Sequence, residues 1–196
     1  MKSQHPIQLT GSPEAIAKIK SLYKDHEEFP YISPDRNLDD WLQKLEISSE
    51  KLVAKRNMVR TEEGLLPGHI ILLWRVSHET YTVGHWITKY FEYDYGIDGN
   101  DIDWLVEEGY VRIMTAKESL NYETATLLKK LLKDKGVKGY SKFNKEDLIE
   151  AVQETYTEEE LGKVTKQRGY RLTEKGTQAL ANNQFVIDKH PKKPGY

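Results

Sequence analysis

Cysteine is absent from this chain of 196 residues, which excludes disulfide bonds and thiolate zinc sites. Long apolar runs are also lacking, and no stretch approaches the roughly 18 apolar residues that a membrane-spanning helix needs. The opening segment, MKSQHPIQLT, contains no apolar run followed by a cleavage site, so nothing in it is typical of a secretion signal. These absences predict a cytoplasmic protein that does not associate with membranes.

The chain also lacks the motifs of common catalytic and metal sites. It has neither a glycine-rich phosphate loop nor a GxSxG nucleophile elbow. The acidic segment DYGIDGNDID does not fit an EF-hand calcium loop, because Gly96 and Leu105 stand where ligands are required. Three histidines follow no zinc-ligand spacing and are predicted to be ordinary core or surface residues: His69, His78 and His85. We therefore predict that the protein is not an enzyme and binds no metal or cofactor.

Charge is nearly balanced overall but unevenly distributed along the chain. The 29 basic and 31 acidic residues give a net charge of -2, so the chain as a whole is not a bulk binder of polyanions. Acidic residues dominate from Glu92 to Glu108, where no lysine or arginine occurs, and basic residues gather after Lys129 and again from Lys163 to Lys175. This segregation would orient the molecule on a polyanion, although acidic residues at solvated helix ends would give the same pattern.

Two amphipathic helices are predicted between Leu120 and Val152. Apolar residues recur there at offsets of three and four: Leu127, Leu128, Leu131 and Leu132, then Leu148, Ile149 and Val152. Gly136 is expected to end the first helix in the left-handed conformation. Asn144 is expected to cap the second helix, with Asp147 in its first turn. We expect the intervening loop to be held against the helices by its aromatic residues, Tyr140 and Phe143.

Lysine is concentrated in the same segment. Seven lysines surround a single acid, Asp134: Lys129, Lys130, Lys133, Lys135, Lys138, Lys142 and Lys145. Positive charge around a helix end and a loop is typical of contact with a phosphate backbone, which requires no base-reading geometry. The alternative is that exposed helices carry lysine for solubility.

The string LLKKLLKDKGVKGYSKFNKEDLIEAV resembles the helix, extended loop, helix unit of SAP domains and of the N-terminal domain of transcription terminator Rho. The part GVKGYSKFNKEDLI is closer to Rho, and the leucine-lysine helix is closer to SAP. The SAP pattern usually has glycine where this chain has Phe143. The resemblance implies a small nucleic-acid-binding module in which five residues contact backbone or pack the loop: Lys138, Tyr140, Ser141, Lys142 and Lys145. Units of this kind also bind proteins.

Helices are predicted on the N-terminal side of this module. Ser12, Pro13 and Glu14 form a helix start, a second helix is expected to begin at Asp35 or Asn37, and a third at Ser48 or Ser49 around Leu52 and Val53. The segment LLPGHIILLWRVS is predicted to be a core helix rather than a buried strand.

Two further strings resemble parts of winged-helix domains. DIDWLVEEGYVRI resembles the third helix and first wing strand, and GYRLTEKGTQAL resembles the second wing strand and closing helix. The alternative is a helical bundle with a two-stranded ribbon at 110–113 and 170–172. The order of elements is similar to that of SAP-domain proteins encoded in prophages of Gram-positive bacteria, which would imply an accessory phage protein.

Aromatic residues are dense in the middle of the chain: Trp74, Tyr81, Trp86, Tyr90, Phe91, Tyr93, Tyr95 and Trp104. A base-stacking platform would use such side chains, but platforms are usually interleaved with basic residues, and this stretch is mainly acidic. A hydrophobic core is therefore favoured. If partly exposed, the same side chains would form a protein-binding patch.

These patterns predict a mainly α fold with a small β-ribbon, in five parts. The parts are a helical region at 1–62, a winged-helix-like region at 63–116, the SAP-like module at 117–156, a wing strand and closing helix at 157–187, and a disordered tail at 188–196.

The predicted function is that of an accessory protein that binds DNA, or RNA, through backbone contacts. The predicted contact residues are Lys129, Lys130, Lys133, Lys138, Tyr140, Ser141, Lys142, Lys145, Arg168 and Arg171. The alternative is an adaptor that binds a protein partner, or a second copy of itself, through the acidic aromatic middle region.

Overall fold

The structure is a computed structural model that describes residues 8–191. These residues form ten α-helices: α1 (Pro13–Leu22), α2 (Leu38–Glu46), α3 (Pro67–Ser77), α4 (Tyr90–Tyr95), α5 (Asp101–Glu107), α6 (Ala125–Asp134), α7 (Lys145–Thr155), α8 (Glu158–Val164), α9 (Glu174–Asn182) and α10 (Gln184–Asp188). Short 3-10 helices occur at Lys55–Met58, Glu118–Tyr122 and Tyr140–Lys142, and β1 (Val111–Ile113) pairs antiparallel with β2 (Tyr170–Leu172). The predicted mainly α fold with a small β-ribbon is confirmed.

The described chain divides into two compact units. Unit 1 contains residues 8–75, 86–111 and 172–191, and unit 2 contains 76–85 and 112–171. The predicted SAP-like module lies wholly within unit 2. None of the helices described is long and apolar enough to cross a membrane. Of the tail predicted to be disordered, Asp188 ends α10 and 192–196 lie outside the described residues.

The first two helices of unit 1 begin where their capping residues predict. The hydroxyl of Ser12 accepts a hydrogen bond from the N–H of Ala15 and so caps α1, and the side chain of Asn37 accepts from two N–H groups at the start of α2. Asp39 links the two helices, because its carboxylate accepts from the N–H of Ser12 at 2.8 Å and from the hydroxyl at 2.6 Å. Both predicted starts are confirmed.

The third predicted N-terminal helix is wrong. Residues 51–54 are not helical, and a 3-10 helix begins only at Lys55. Ser48 has a φ of 56°, which breaks the helical path. The N–H of Val53 donates to the hydroxyl oxygen of Tyr23 at 3.0 Å instead of to a preceding carbonyl. A long-range hydrogen bond therefore replaces the local one that a helix would form.

The core of unit 1 includes α3, the helix that the apolar segment predicts. Ile70, Ile71, Leu72 and Leu73 are four consecutive residues of α3, and all are fully buried. A helix that is apolar on every side is expected to lie inside a protein. The preference for a helix over a buried strand is thus confirmed.

The aromatic middle region lies mainly in the interior. Tyr81, Phe91 and Tyr95 are buried, and four of the other aromatic side chains are half-buried: Trp74, Tyr90, Tyr93 and Trp104. Trp86 is the exception, with 66% of its surface exposed. Packing in the core, rather than base stacking, explains this concentration of rings.

Two acids of the acidic segment are buried, contrary to the pattern of solvated helix ends. Glu92 accepts a hydrogen bond from the N–H of Ser33 at 2.9 Å, and burial raises the pKa of its carboxyl group. Asp101 is 1% exposed, and its Oδ2 lies 2.9 Å from Nε2 of the fully buried His69. Part of the acidic charge is thus internal to unit 1.

The closing helix of unit 1 follows β2 as the string GYRLTEKGTQAL predicts. Thr173 caps α9, since its hydroxyl accepts from the N–H of Gly176 at 3.1 Å. A Cβ atom at position 176 would collide with the carbonyl oxygen of Tyr110. Glycine therefore allows the first turn of α9 to lie directly against the backbone.

In unit 2, α6 and α7 pack on each other around one hydrophobic cluster. The buried residues of this cluster are Ala116, Leu120, Leu128, Leu131, Leu132, Leu148, Val152, Tyr156 and Leu161. The hydroxyl of Tyr156 donates to the carbonyl oxygen of Leu131 at 2.8 Å, so its polar atom is satisfied inside the cluster. The predicted apolar faces of both helices are confirmed.

Candidate nucleic-acid interface

Three of the predicted lysines lie on α6, which Thr124 caps through the N–H of Leu127. Lys129 and Lys133 are one helical turn apart, and Lys130 precedes Lys133 by three residues, so the three share one side of the helix. That side lies away from the buried leucines of the cluster. Lys130 and Lys133 are exposed, and Lys129 is half-buried. The leucines that build the core thus direct the lysines outward.

The loop after α6 turns at two glycines, as the sequence predicts for the first. Gly136 has a φ of 73° and Gly139 a φ of 87°, which are left-handed conformations that favour glycine. Tyr140 packs against the hydrophobic cluster of unit 2 and so fixes the loop. Lys138, Ser141 and Lys142 are exposed beside it. Phe143 is also exposed, which differs from the prediction that both rings hold the loop.

Lys145 is the first residue of α7, and the predicted cap by Asn144 is confirmed as part of a capping box. The side chain of Asn144 accepts from the N–H of Asp147, and the carboxylate of Asp147 accepts from the N–H of Asn144. Nζ of Lys145 donates to the carbonyl oxygen of Asn121 at 2.7 Å. The ammonium group of Lys145 is therefore held against the backbone of unit 2, unlike that of Lys142.

Lys135 shows how this segment can neutralise a lysine. Its Nζ lies 2.6 Å from Oε1 of Glu160 and 4.7 Å from the centre of the Tyr156 ring. The hydrogen bond from Lys135 lowers the pKa of Glu160 to about 2. In the described residues no such carboxylate partner is found for Lys129, Lys130, Lys133, Lys138 or Lys142. These five lysines, which we call the lysine surface, keep their charge available.

Arg171 is engaged by acids of unit 2. Its guanidinium contacts Oε1 of Glu79 at 2.7 Å and Oε1 of Glu118 at 3.0 Å. Glu118 also accepts two hydrogen bonds from Arg112, each at 2.7 Å. The charge of Arg171 is thus largely balanced within the fold.

Arg168 is directed towards its own backbone. Its Nη1 donates to the carbonyl oxygen of Gln167 at 2.7 Å and to that of Thr165 at 3.1 Å. Its predicted role in binding nucleic acid stays a prediction, as does that of Arg171. Neither belongs to the lysine surface.

The acids that hold Arg171 could not be identified from the sequence. Glu79 lies 92 residues before Arg171 in the chain and has a φ of 51° in a turn. No local pattern connects residues at that separation. Glu118 is near Arg112 in sequence, but a spacing of six residues is not a helical or strand spacing that would indicate a pair.

We expect the Glu118→Gln variant to reduce the acid sensitivity of unit 2. The hydrogen bonds from Arg112 lower the pKa of Glu118 from its model-compound value of 4.5 to about 2. Because the folded pKa is depressed, the stabilisation is present above about pH 4.5 and is lost as pH falls through about 2. Urea unfolding followed by far-UV circular dichroism should show that the free energy of unfolding of the wild type falls by about 1 kcal/mol over this pH range. The variant should not show this decrease. Glu150→Gln, at an exposed position, is the control. A variant that retains the full pH dependence would contradict the prediction.

The remaining histidines, aspartates and glutamates do not suggest a metal centre. No group of three such side chains within residues 8–191 is arranged to hold a metal ion.

Comparison of the chain with protein-family models, with curated proteins and with solved structures gave no match.

Proposed function

We propose that the protein is a non-enzymatic accessory protein that binds nucleic acid, DNA in the first instance, through the lysine surface of unit 2. The observation that carries the proposal is the placement of five lysines on α6 and the loop that follows it, with no carboxylate partner for any of them among residues 8–191. A neutral or basic ligand would gain little from this arrangement, whereas each phosphate that a lysine neutralises releases a condensed counterion.

The contacts that the lysine surface can offer are non-specific. Lysine ammonium groups on flexible side chains bind phosphate as point charges and do not read base edges. The loop is fixed at one side by Tyr140, which keeps Lys138 and Lys142 near the C-terminal end of α6. We therefore expect binding to depend on charge density and on salt rather than on sequence.

The resemblance to SAP and Rho N-terminal modules supports the same proposal. Both consist of a helix, an extended loop and a second helix, the order in which α6, the loop and α7 occur here. From the resemblance of DIDWLVEEGYVRI and GYRLTEKGTQAL to winged-helix domains we also propose a winged-helix relationship for α5, β1, β2 and α9. From the order of elements we propose an origin among prophage accessory proteins.

The test is a salt titration of wild-type protein and two triple variants on double-stranded DNA. Changing Lys130, Lys138 and Lys142 to Glu should weaken binding for all sequences alike and lower the slope of log K against log salt by about three. Changing Lys18, Lys20 and Lys24 to Glu alters the net charge equally at exposed positions of unit 1 and should have a much smaller effect. Parallel titrations on single-stranded DNA and on RNA identify the preferred polymer.

Two results would contradict the proposal. One is wild-type binding that does not respond to salt, and the other is an equal loss of affinity in both triple variants. If no nucleic acid binds and a protein partner co-purifies after nuclease treatment, the adaptor hypothesis takes its place. The burial of Phe91 and Tyr95 leaves that hypothesis with less aromatic surface than the sequence alone predicts.

A further inference from the structure

Unit 1 contains a cleft of about 290 Å³. Segments far apart in sequence form its walls: the residues around the 3-10 helix Lys55–Met58, the start of α3, the helix α4, and α10 with the residues after it. The size lies at the lower end of the range typical of small-molecule sites. None of its lining residues belongs to the lysine surface, so its function is a separate question.

The cleft carries an excess of positive charge. Three cations line it, Lys51, Arg56 and Lys189, against one lining carboxylate, that of Asp94. Asp94 is paired with Lys51 at 2.6 Å. No ion pair engages Arg56 or Lys189 within the part of the chain that the structure describes. Two uncompensated cations therefore face one concave surface, which favours an anion.

Aromatic rings lie beside these cations. Phe185 is 54% exposed, and Nζ of Lys189 lies 5.6 Å from the centre of its ring. Tyr90 and Tyr95 also line the cleft, and their hydroxyl groups lie 3.2 Å and 2.7 Å from Nδ1 of His190. Burial raises the pKa of both tyrosines, so they remain neutral phenols and add no charge that would repel an anion.

We propose that this cleft binds a nucleotide, with the base against the rings of Phe185 and Tyr90 and the phosphate held by Arg56 and Lys189. A planar base is a ligand that stacks on exposed aromatic side chains. The guanidinium of Arg56 can donate two parallel hydrogen bonds to a phosphate, and Lys189 adds a second positive charge. The nucleotide is either a free mononucleotide or the phosphorylated end of a single strand, since both present the same chemistry.

The experiment is isothermal titration of the full chain with four compounds. These are adenosine 5′-monophosphate, adenosine, ribose 5-phosphate and a short 5′-phosphorylated deoxyadenosine oligomer. We expect the monophosphate to bind about tenfold more tightly than adenosine or ribose 5-phosphate, because each of those lacks one half of the recognised group. The oligomer is compared with the monophosphate in the variant with Lys130, Lys138 and Lys142 changed to Glu, so that the lysine surface does not contribute. Tighter binding of the oligomer there would identify a strand end as the source, and the reverse would identify the free nucleotide.

Two variants locate the site. Phe185→Ala and Arg56→Gln change exposed side chains, and each should weaken monophosphate binding by about tenfold while leaving the far-UV circular dichroism spectrum unchanged. Changing Lys130, Lys138 and Lys142 to Glu should leave monophosphate binding unchanged, which separates this proposal from the one for unit 2. Absence of monophosphate binding, equal binding of adenosine, or wild-type affinity for the monophosphate in both cleft variants would overturn the proposal.

Discussion

Replacing His69 with alanine is expected to lower the free energy of unfolding of unit 1 by about 3–5 kcal/mol. The imidazole is completely buried, its Nδ1 accepts a hydrogen bond from the N–H of Leu66 at 3.1 Å, and its Nε2 lies 2.9 Å from Oδ2 of Asp101. Because Nδ1 accepts a hydrogen bond, the ring proton is on Nε2, and Nε2 donates a hydrogen bond to the carboxylate of Asp101. Without His69, a buried carboxylate and a backbone N–H each lose a hydrogen-bonding partner.

Tryptophan fluorescence during urea unfolding is a suitable measurement, because all four tryptophans lie in unit 1. Trp104 lies beside the change, with its ring centre 5.1 Å from that of His69. The exposed His78 changed to alanine serves as the control. The double variant His69→Leu with Asp101→Leu should recover part of the loss, since replacing both members of a buried pair is less costly than removing one. A His69→Ala variant within about 1 kcal/mol of the wild type would contradict this account.

The second large effect is expected in unit 2, where Leu132→Ala should lower the free energy of unfolding by about 2–5 kcal/mol. Leu132 is fully buried in the cluster that joins α6 to α7, and its removal leaves a cavity between them. Hydrogen exchange measured by mass spectrometry should show faster exchange in both helices. Thr126→Ala, at an exposed position on α6, should leave exchange in α7 unchanged.

The Leu132→Ala variant also tests whether the lysine surface depends on the packing of α6 against the hydrophobic cluster. The five lysines keep their identity in Leu132→Ala, but the helix that positions three of them loses its packing. We expect weaker binding to DNA with a nearly unchanged salt slope, because the charges remain and their arrangement does not. Fast exchange confined to α6, with α7 unaffected, would show that the cluster does not couple the two helices.

Local signals explain how much of the fold could be predicted from the sequence. Ser12, Asn37 and Asn144 each cap a helix through bonds to residues two or three positions away, so a short string contains all the information. The third N-terminal helix could not be rejected in this way. The competing partner of Val53, the hydroxyl group of Tyr23, lies 30 residues earlier.

The difference between local signals and long-range contacts applies to the candidate sites as well. The lysine surface is local because α6 and its loop are continuous in sequence, and the apolar spacing of α6 alone determines which side is exposed. The balance of Arg171 by Glu79 and the burial of Asp101 against His69 depend on residues 92 and 32 positions apart. The cleft of unit 1 is less predictable still, because its cations come from distant parts of the sequence, Lys51 and Arg56 on one side and Lys189 on the other.

The interleaving of the two units has a consequence for synthesis on the ribosome. Every residue of unit 2 precedes residue 172, whereas unit 1 requires 172–191 for its last helices. Contacts such as that between Asn183 and Glu63, 120 residues apart, form only after residues 172–191 have left the exit tunnel. All of unit 2 is therefore synthesised before α9 and α10, so unit 2 can begin to fold while unit 1 still lacks its last two helices.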